Sequence, residues 1–400
     1  MTVVTIDTYK EAEEALKRTD LRQALYDEGA ILMKKVLVNL HGDEHLTRKR
    51  VVTKVLRPAF FLHYEKNVFR PTLQETLAPY VSAGKADMVE FGYRVMVNLT
   101  ADFAGIDRTA KSTAETDTIV MLLRTFGKAA TLGQALGDRA TIRADIQRAL
   151  DAFDTEFFTP SVRRRESLLA AHAHGEIAEA DLPRDMLTVM LQANAELGES
   201  HDVLMKEMAF YLMAGAHTSI HSMTHAVHEF LEWVKAHPED RQRADDDPFF
   251  LQRCVYESIR LHPSSPTACR RPTATTELSG NGTLSPDDEI VIDLRAANRD
   301  SRMFGADAAT FNPHREAGRL ANLAGLSFGI GMHACIGRNL AAGAEPRSDT
   351  QPAEHHYGTI PLVLRALLDH NVRADPNDAA RADSTTVRKT WAYYPLLLDR

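Results

Sequence analysis

Residues 328–341 read Phe328-Gly329-Ile330-Gly331-Met332-His333-Ala334-Cys335-Ile336-Gly337-Arg338-Asn339-Leu340-Ala341. The stretch is a glycine-rich loop that turns into a helix, with one cysteine at the junction. Gly329 and Gly331 permit backbone conformations closed to other residues and let the chain approach a large flat object. Ile336 to Ala342 has the composition of a helix start. A thiolate at a helix N-terminus is stabilised by the positive end of the macrodipole and by unpaired backbone N–H groups. That placement suits a cysteine that must stay ionised, as a soft metal ligand must.

Other readings compete. A free cysteine is commonly a small buried hydrophobe. A nucleophilic cysteine would fit, but no papain-like or caspase-like local signature is present. Gly329-Ile330-Gly331-Met332-His333-Ala334 also matches the dinucleotide fingerprint G-x-G-x-x-A, which requires a β-branched strand before it. Leu323-Ala324-Gly325-Leu326-Ser327 is a poor strand, so that reading fails on context.

The whole run resembles the haem-binding signature of the cytochrome P450 superfamily, F-G-x-G-x-H-x-C-x-G-x-x-L-A. Every fixed position matches: Phe328, Gly329, Gly331, His333, Cys335, Gly337, Leu340 and Ala341. The resemblance implies a mainly α fold with a smaller β portion (α+β), a long central helix over a haem, and the cysteine loop on the proximal side. It implies that Cys335 is the thiolate ligand of the iron, pushing electron density toward oxygen. Phe328 would pack beside the thiolate and limit water, and His333 would sit near a haem propionate.

Composition agrees with an ordinary globular enzyme. The 400 residues are 44% hydrophobic and 26% charged. Cys254, Cys269 and Cys335 form no C-x-x-C pair, so neither a zinc ribbon nor a disulfide framework is available, as expected in a reducing cytoplasm. The N-terminus has no signal-peptide core and no apolar run of spanning length, which within this family points to a soluble bacterial-type member. A net charge of −8 argues against bulk attraction to nucleic acid or an anionic membrane.

Tyr9 to Leu25 reads as a charged amphipathic helix burying Ala12, Ala15, Leu16 and Leu25. The basic segment 41–52 reads as a helix, and its charges alone would describe a solvated face. Beside the cysteine signature, His45-x-x-x-Lys49 resembles the family's H-x-x-x-R, whose i,i+4 spacing puts both groups on one face toward the propionates. Lysine in place of arginine turns a bidentate grip into a point charge. Only 44 residues precede His45, fewer than the family usually has, so a reduced N-terminal sheet is expected.

Residues 66–200 read as successive helices. The clearest are Asp151 to Phe158, Ser161 to His174 and Leu182 to Glu196, with Pro160, Gly175 and Pro183 as punctuation. His201 to Ala236 is the longest helical pattern, ended by Pro238. At its middle lies Ala214-Gly215-Ala216-His217-Thr218-Ser219, where a glycine costs about 1 kcal/mol against alanine and asks for a reason. The family's reason is a helix groove opened for oxygen by A-G-x-D/E-T-T/S. By that resemblance Ala214 and Gly215 shape the groove, Thr218 hydrogen-bonds dioxygen, and His217 stands where an acid is usual. Imidazole shuttles protons near neutral pH. His217, His221, His225 and His228 share a face, but H-E-x-x-H is absent, and packing is the simpler reading than a metal site.

Glu257-Ser258-Ile259-Arg260 matches the family's E-x-x-R, and Arg315 matches the arginine that completes its buried network. Arg270 falls where a propionate-binding arginine is placed, with Arg271 as the neighbouring alternative. Glu289 to Leu294 reads as a strand leading into a further match, Ala296-Ala297-Asn298-Arg299-Asp300. After Ala341 the helix should continue, yet Glu345-Pro346 and Gln351-Pro352 break it. Residues 343–360 therefore read as an insertion on the proximal side, with helix resuming from Pro361 to His370. Trp391 to Leu398 reads as a strand.

The expectation is one domain over residues 1–400 binding haem b (iron-protoporphyrin IX). It would oxidise a small to medium organic substrate with O2, by hydroxylation or epoxidation. Electrons would come from NADH or NADPH through a ferredoxin and a ferredoxin reductase. A peroxide-using or non-hydroxylating haem-thiolate enzyme is the alternative, and a haem-binding sensor or carrier the next.

Overall fold

His201–Ala236 is a 36-residue helix that runs about 54 Å through the molecule. Ser200 caps it by accepting a hydrogen bond from the Val203 N–H, and the chain leaves it at His237-Pro238. Its apolar residues face in most directions, from Met208 and Leu212 to Ile220, Met223 and Phe230, all buried. A helix apolar all round belongs in a core. The helices Met88–Ala104, Thr113–Ala130, Phe250–Leu261 and Thr359–Leu368 pack around it. The computed structural model describes residues 2–316 and 322–400.

Gly215 has a local cause. A Cβ built there would lie 2.8 Å from Cγ2 of Thr100, so the glycine lets the helix Met88–Ala104 come in close. The helix continues unbroken from His201 to Ala236, as its sequence pattern suggests. The Thr218 hydroxyl donates to the Ala214 carbonyl at 2.7 Å without opening a turn.

A four-stranded sheet lies to one side. Val3–Ile6 (β1), Leu21–Gln23 (β2), Thr267–Pro272 (β3) and Glu289–Asp293 (β4) are ordered β1-β4-β3-β2, with β1 parallel to β4 and the other pairs antiparallel. The short N-terminal region thus still supplies two strands. The first helix is shorter than the sequence suggests, Tyr9–Lys17. Leu21 pairs with Pro272 and so leaves helical periodicity for the sheet, and Leu25 lies beyond both. Ala12, Ala15 and Leu16 are buried as expected.

Two further boundaries move. Arg139–Phe153 passes through a wide turn at Asp154–Phe158 directly into Thr159–Ala173. Pro160 therefore does not end the helical run, because it stands directly after the wide turn, where the regular i→i−4 ladder is already interrupted. The strand expected over residues 391–398 is two, Trp391–Tyr393 and Pro395–Leu397, which join different sheets.

After Arg338–Ala342 the chain makes an excursion and returns to helix at Thr359–Leu368. Its ends touch: Gly343 and Gly358 approach so closely that a Cβ on either would strike the other's flanking backbone. Gln252 donates to the carbonyls of Ala342 and Ala344 at 2.7 and 2.9 Å, and Tyr256 to that of Gly343 at 3.0 Å. Buried Glu65 accepts from Gly358 N–H at 3.0 Å and meets His356 Nδ1 at 2.7 Å. The segment between the two helices is thus an excursion tethered at both ends.

Candidate functional site

A cavity of about 330 Å3 lies between the central helix and the loop that carries Cys335. The loop is fixed from below. Glu257 and Arg260 pair at 2.7 and 2.8 Å, Arg315 joins Glu257 at 3.1 Å, and Arg260 donates to the Asn298 carbonyl at 2.6 Å. Asn298 accepts from Leu326 N–H and donates to Ser327, both at 2.8 Å, and Ser327 bonds the Ile259 carbonyl at 2.7 Å. The buried charges are fully partnered, which is the condition under which they hold a shape.

Cys335 closes the loop by donating its N–H to the Phe328 carbonyl at 2.8 Å. Gly329 and Gly331 have left-handed backbone, with φ of 61° and 72°. Cys335 lies deep in the fold but is open to the cavity. Burial raises its thiol pKa, opposed by the N–H groups of Gly337 and Arg338 and the charges of Arg338 and Lys49. A bound metal cation would complete the stabilisation of a thiolate.

Four basic side chains line the same cavity: His45, Lys49, Arg270 and His333. The His45 and His333 rings stand 4.8 Å apart, and Lys49 donates to the Met332 carbonyl at 2.7 Å. Arg270 donates to Gln23 Oε1 at 2.7 Å. No carboxylate lines the cavity among the described residues. Burial, reinforced by mutual repulsion, pushes His45 down to about 4 and His333 down to about 3. Burial alone takes Arg270 down to about 10. Both ring nitrogens of His333 and Nδ1 of His45 lack a hydrogen-bond partner. Such a rim is complementary to an anionic ligand with more than one carboxylate, and the donor set fits the propionates of a haem. Strand alternation separates the two arginines: Arg270 faces the cavity, while Arg271 pairs with Glu289 at 2.9 Å.

The roof is Ala214, Gly215, Thr218, Ser219 and Ser222. Ser264 donates to the Thr218 carbonyl at 2.9 Å and shares a 2.9 Å bond with Ser222. Phe328, Gly329 and Gly337 also line the cavity. Two residues chosen from the sequence do not. Gly331 passes over the Leu16 carbonyl, which a Cβ would meet at 2.8 Å. His217 lies on the opposite side of the helix, 3.2 Å from the Tyr93 hydroxyl and against Gly127, and burial lowers its pKa to about 4.

The remaining histidines pack. His217 and His221 meet edge to face at 4.9 Å, and His225 stacks on His262 at 4.2 Å, which contacts Glu229 at 2.5 Å. Among the described residues no group of three or more ligands is placed to hold a metal ion. Sequence reasoning missed Tyr26, Ser264 and Ser265 in the cavity wall; the polar pair directly after the helix stop His262-Pro263 was the available signal.

Among the described residues no helix is long and apolar enough to cross a membrane. The family model described as Cytochrome P450 matches residues 140–343, just over half of the chain. The chain is 34% identical over 142 residues to the mycinamicin VIII C21 methyl hydroxylase of Micromonospora griseorubida, covering 36% of this chain and 34% of that protein. It is 30% identical over 161 residues to cytochrome P450 734A6 of Oryza sativa subsp. japonica, covering 34% and 29%. These matches span about a third of each relative's length. The crystal structure of CalO2 superposes with a TM-score of 0.74 at 20% identity, over 98% of this chain and 90% of that one, and shows the same fold. With the cysteine loop, the basic rim and the fold in agreement, the chain belongs to the cytochrome P450 family.

Proposed function

We propose that the chain is a single-domain haem-thiolate monooxygenase acting on a small to medium organic molecule. The observation that carries this reading is the placement of Cys335 at the foot of a cavity roofed by Ala214, Gly215 and Thr218 and rimmed by bases without acids. Cys335 would ligate the iron of haem b, and His45, Lys49, Arg270 and His333 would hold its carboxylates. Bound there, haem supplies the redox iron that activates dioxygen. The net reaction places one oxygen atom in a C–H or C=C bond of the substrate. The second oxygen leaves as water, consuming two electrons and two protons.

Thr218 would present its hydroxyl to this chemistry from the roof of the cavity, its Oγ1 oriented by the Ala214 carbonyl. His217 would act behind it as a positioning residue through the helix and Tyr93. Leu99, Phe103 and Phe210 exclude water from the substrate side. Electrons would arrive from NADH or NADPH through a ferredoxin and its reductase in the cytoplasm, since three scattered cysteines provide no iron–sulfur ligand set in this chain.

Labelled dioxygen tests the reading. One labelled atom per product molecule is expected, and label absent from every oxidised product contradicts it. Thr218→Ala is expected to lower product per oxygen consumed by about tenfold; unchanged coupling removes Thr218 from the mechanism. The neutral His217, buried away from the cavity, favours one second reading, a peroxide-using enzyme. Peroxide turnover without electron donors, as fast as donor-driven turnover, would select it.

A further inference from the structure

The excursion between Arg338–Ala342 and Thr359–Leu368 contributes no residue to the cavity, yet its first turn is built rigidly. Gly343 is pressed against Gly358, and the Gln252 amide holds the carbonyls of Ala342 and Ala344. Ala344 N–H donates to the His356 carbonyl at 3.0 Å. Glu345 comes next and is followed by Pro346, which confines its backbone to extended conformations. The Glu345 carboxylate is thereby presented to the guanidinium of Arg338, whose Nη2 donates to Oε1.

Arg338 opens the short helix that follows the cysteine loop, three residues after Cys335. The two are close neighbours: a Cβ built on the intervening Gly337 would lie 3.9 Å from Cys335 Sγ. The guanidinium straddles the protein surface. Its Nε is buried without a hydrogen-bond partner, while Nη2 reaches Glu345, the two side chains being 31% and 37% exposed. Arg338 and Lys49 both favour a thiolate at Cys335 through their charge. They differ in what they meet. Lys49 donates to a neutral group, the Met332 carbonyl at 2.7 Å, whereas Arg338 faces a carboxylate.

Reduction of a ferric haem adds one negative charge at the iron and its thiolate. A cation nearby favours that step, and a carboxylate paired with the cation opposes it. We infer that Glu345 sets the electron affinity of the haem: by neutralising Arg338 beside the cysteine loop, it holds the iron toward its ferric state. Glu345 is a positioning residue, since it acts on Arg338 and touches neither haem nor substrate. The inference rests on reading Cys335 as the iron ligand. It is independent of the substrate and of the oxidant.

The midpoint potential of the haem-loaded, substrate-free protein reads this directly. It is measured by spectroelectrochemistry with mediators at pH 7.5 and low ionic strength, one electron passing from the electrode to Fe(III) to give Fe(II). Glu345→Gln is expected to shift the equilibrium toward ferrous haem by at least about threefold, which is about 30 mV upward at about 59 mV per tenfold. Arg338→Gln should move it the opposite way. Asp349→Asn removes an exposed acid from the same excursion and should stay within about 1.5-fold of the parent. Each protein should keep the red-shifted Soret band of its reduced carbon monoxide complex, which fixes the ligand as the same in all. An unchanged potential in Glu345→Gln, a shift toward ferric haem, or an equal shift in Asp349→Asn overturns the proposal. A parent protein without that band faults the thiolate reading itself, and the proposal falls with it.

Discussion

Gly215 offers a quantitative test of how the cavity roof is built. A Cβ at this position would stand 2.8 Å from Thr100 Cγ2, and the next atom of Thr100 is 3.9 Å away. One methyl group therefore decides the outcome. Gly215→Ala gains about 1 kcal/mol of helix propensity and loses about 1–3 kcal/mol to overpacking, so it should be neutral to about 2 kcal/mol destabilising. Thr100→Ser removes Cγ2 but keeps the hydroxyl bond to the Met96 carbonyl, now 2.8 Å. It should lose about 1 kcal/mol for a deleted buried methyl. In the double variant the clash is gone, and the two remaining effects nearly cancel. The coupling energy should thus be about 1–3 kcal/mol, favouring the pair. With unfolding entropy near 2.1 cal/mol/K per residue, 2 kcal/mol corresponds to about 2–3 °C in Tm for this chain. Urea unfolding and calorimetry of the four proteins measure it. Additivity within about 0.5 kcal/mol, or a Gly215→Ala variant more stable than its parent, would refute close approach as the reason for the glycine.

Arg270→Met should lose haem during purification, because a buried cation facing the cavity disappears. Arg271→Met, which breaks only a half-exposed pair with Glu289, should retain haem and shift stability by no more than about 1 kcal/mol; equal retention by both variants would contradict the assignment. Glu65 anchors the excursion after the ligand helix. Burial raises its pKa, but the hydrogen bond and charge of His356, with the N–H groups of Gly358 and Tyr357, outweigh that and leave it lowered. Its contribution is therefore fully present above the unfolded value of ~4.3 and is lost as the pH falls through the lower folded value. Glu65→Gln should lower Tm at pH 7 and narrow its difference from the parent as pH drops below about 4; a pH-independent difference would mean the carboxylate is not the anchor.

The parts of the site that were legible in the sequence are those held by local chemistry. Phe328 to Ala341 carries its own glycines, cysteine and helix start, and the structure seats Cys335 at the cavity as that stretch implies. His45 and Lys49 follow from helical spacing once the loop is recognised. The choice between Arg270 and Arg271 required the strand register, which depends on distant β4. The orientation of His217 required the packing of two other helices, one bearing Tyr93 and the other Gly127. Tyr26 and the pair Ser264-Ser265 come together only through tertiary contacts between two remote segments, and no periodicity marks them. Gly215 stands against the Thr100 methyl, more than a hundred residues away in sequence, a neighbour that no helical pattern could announce.

The central claim is that Cys335 holds a haem iron as a thiolate beneath Thr218. The most direct measurement is the difference spectrum of the reduced protein with and without carbon monoxide. A strongly red-shifted Soret band, abolished by Cys335→Ser with haem still bound, is the result predicted here. A band at the ordinary haem position in the unmodified protein would contradict the claim.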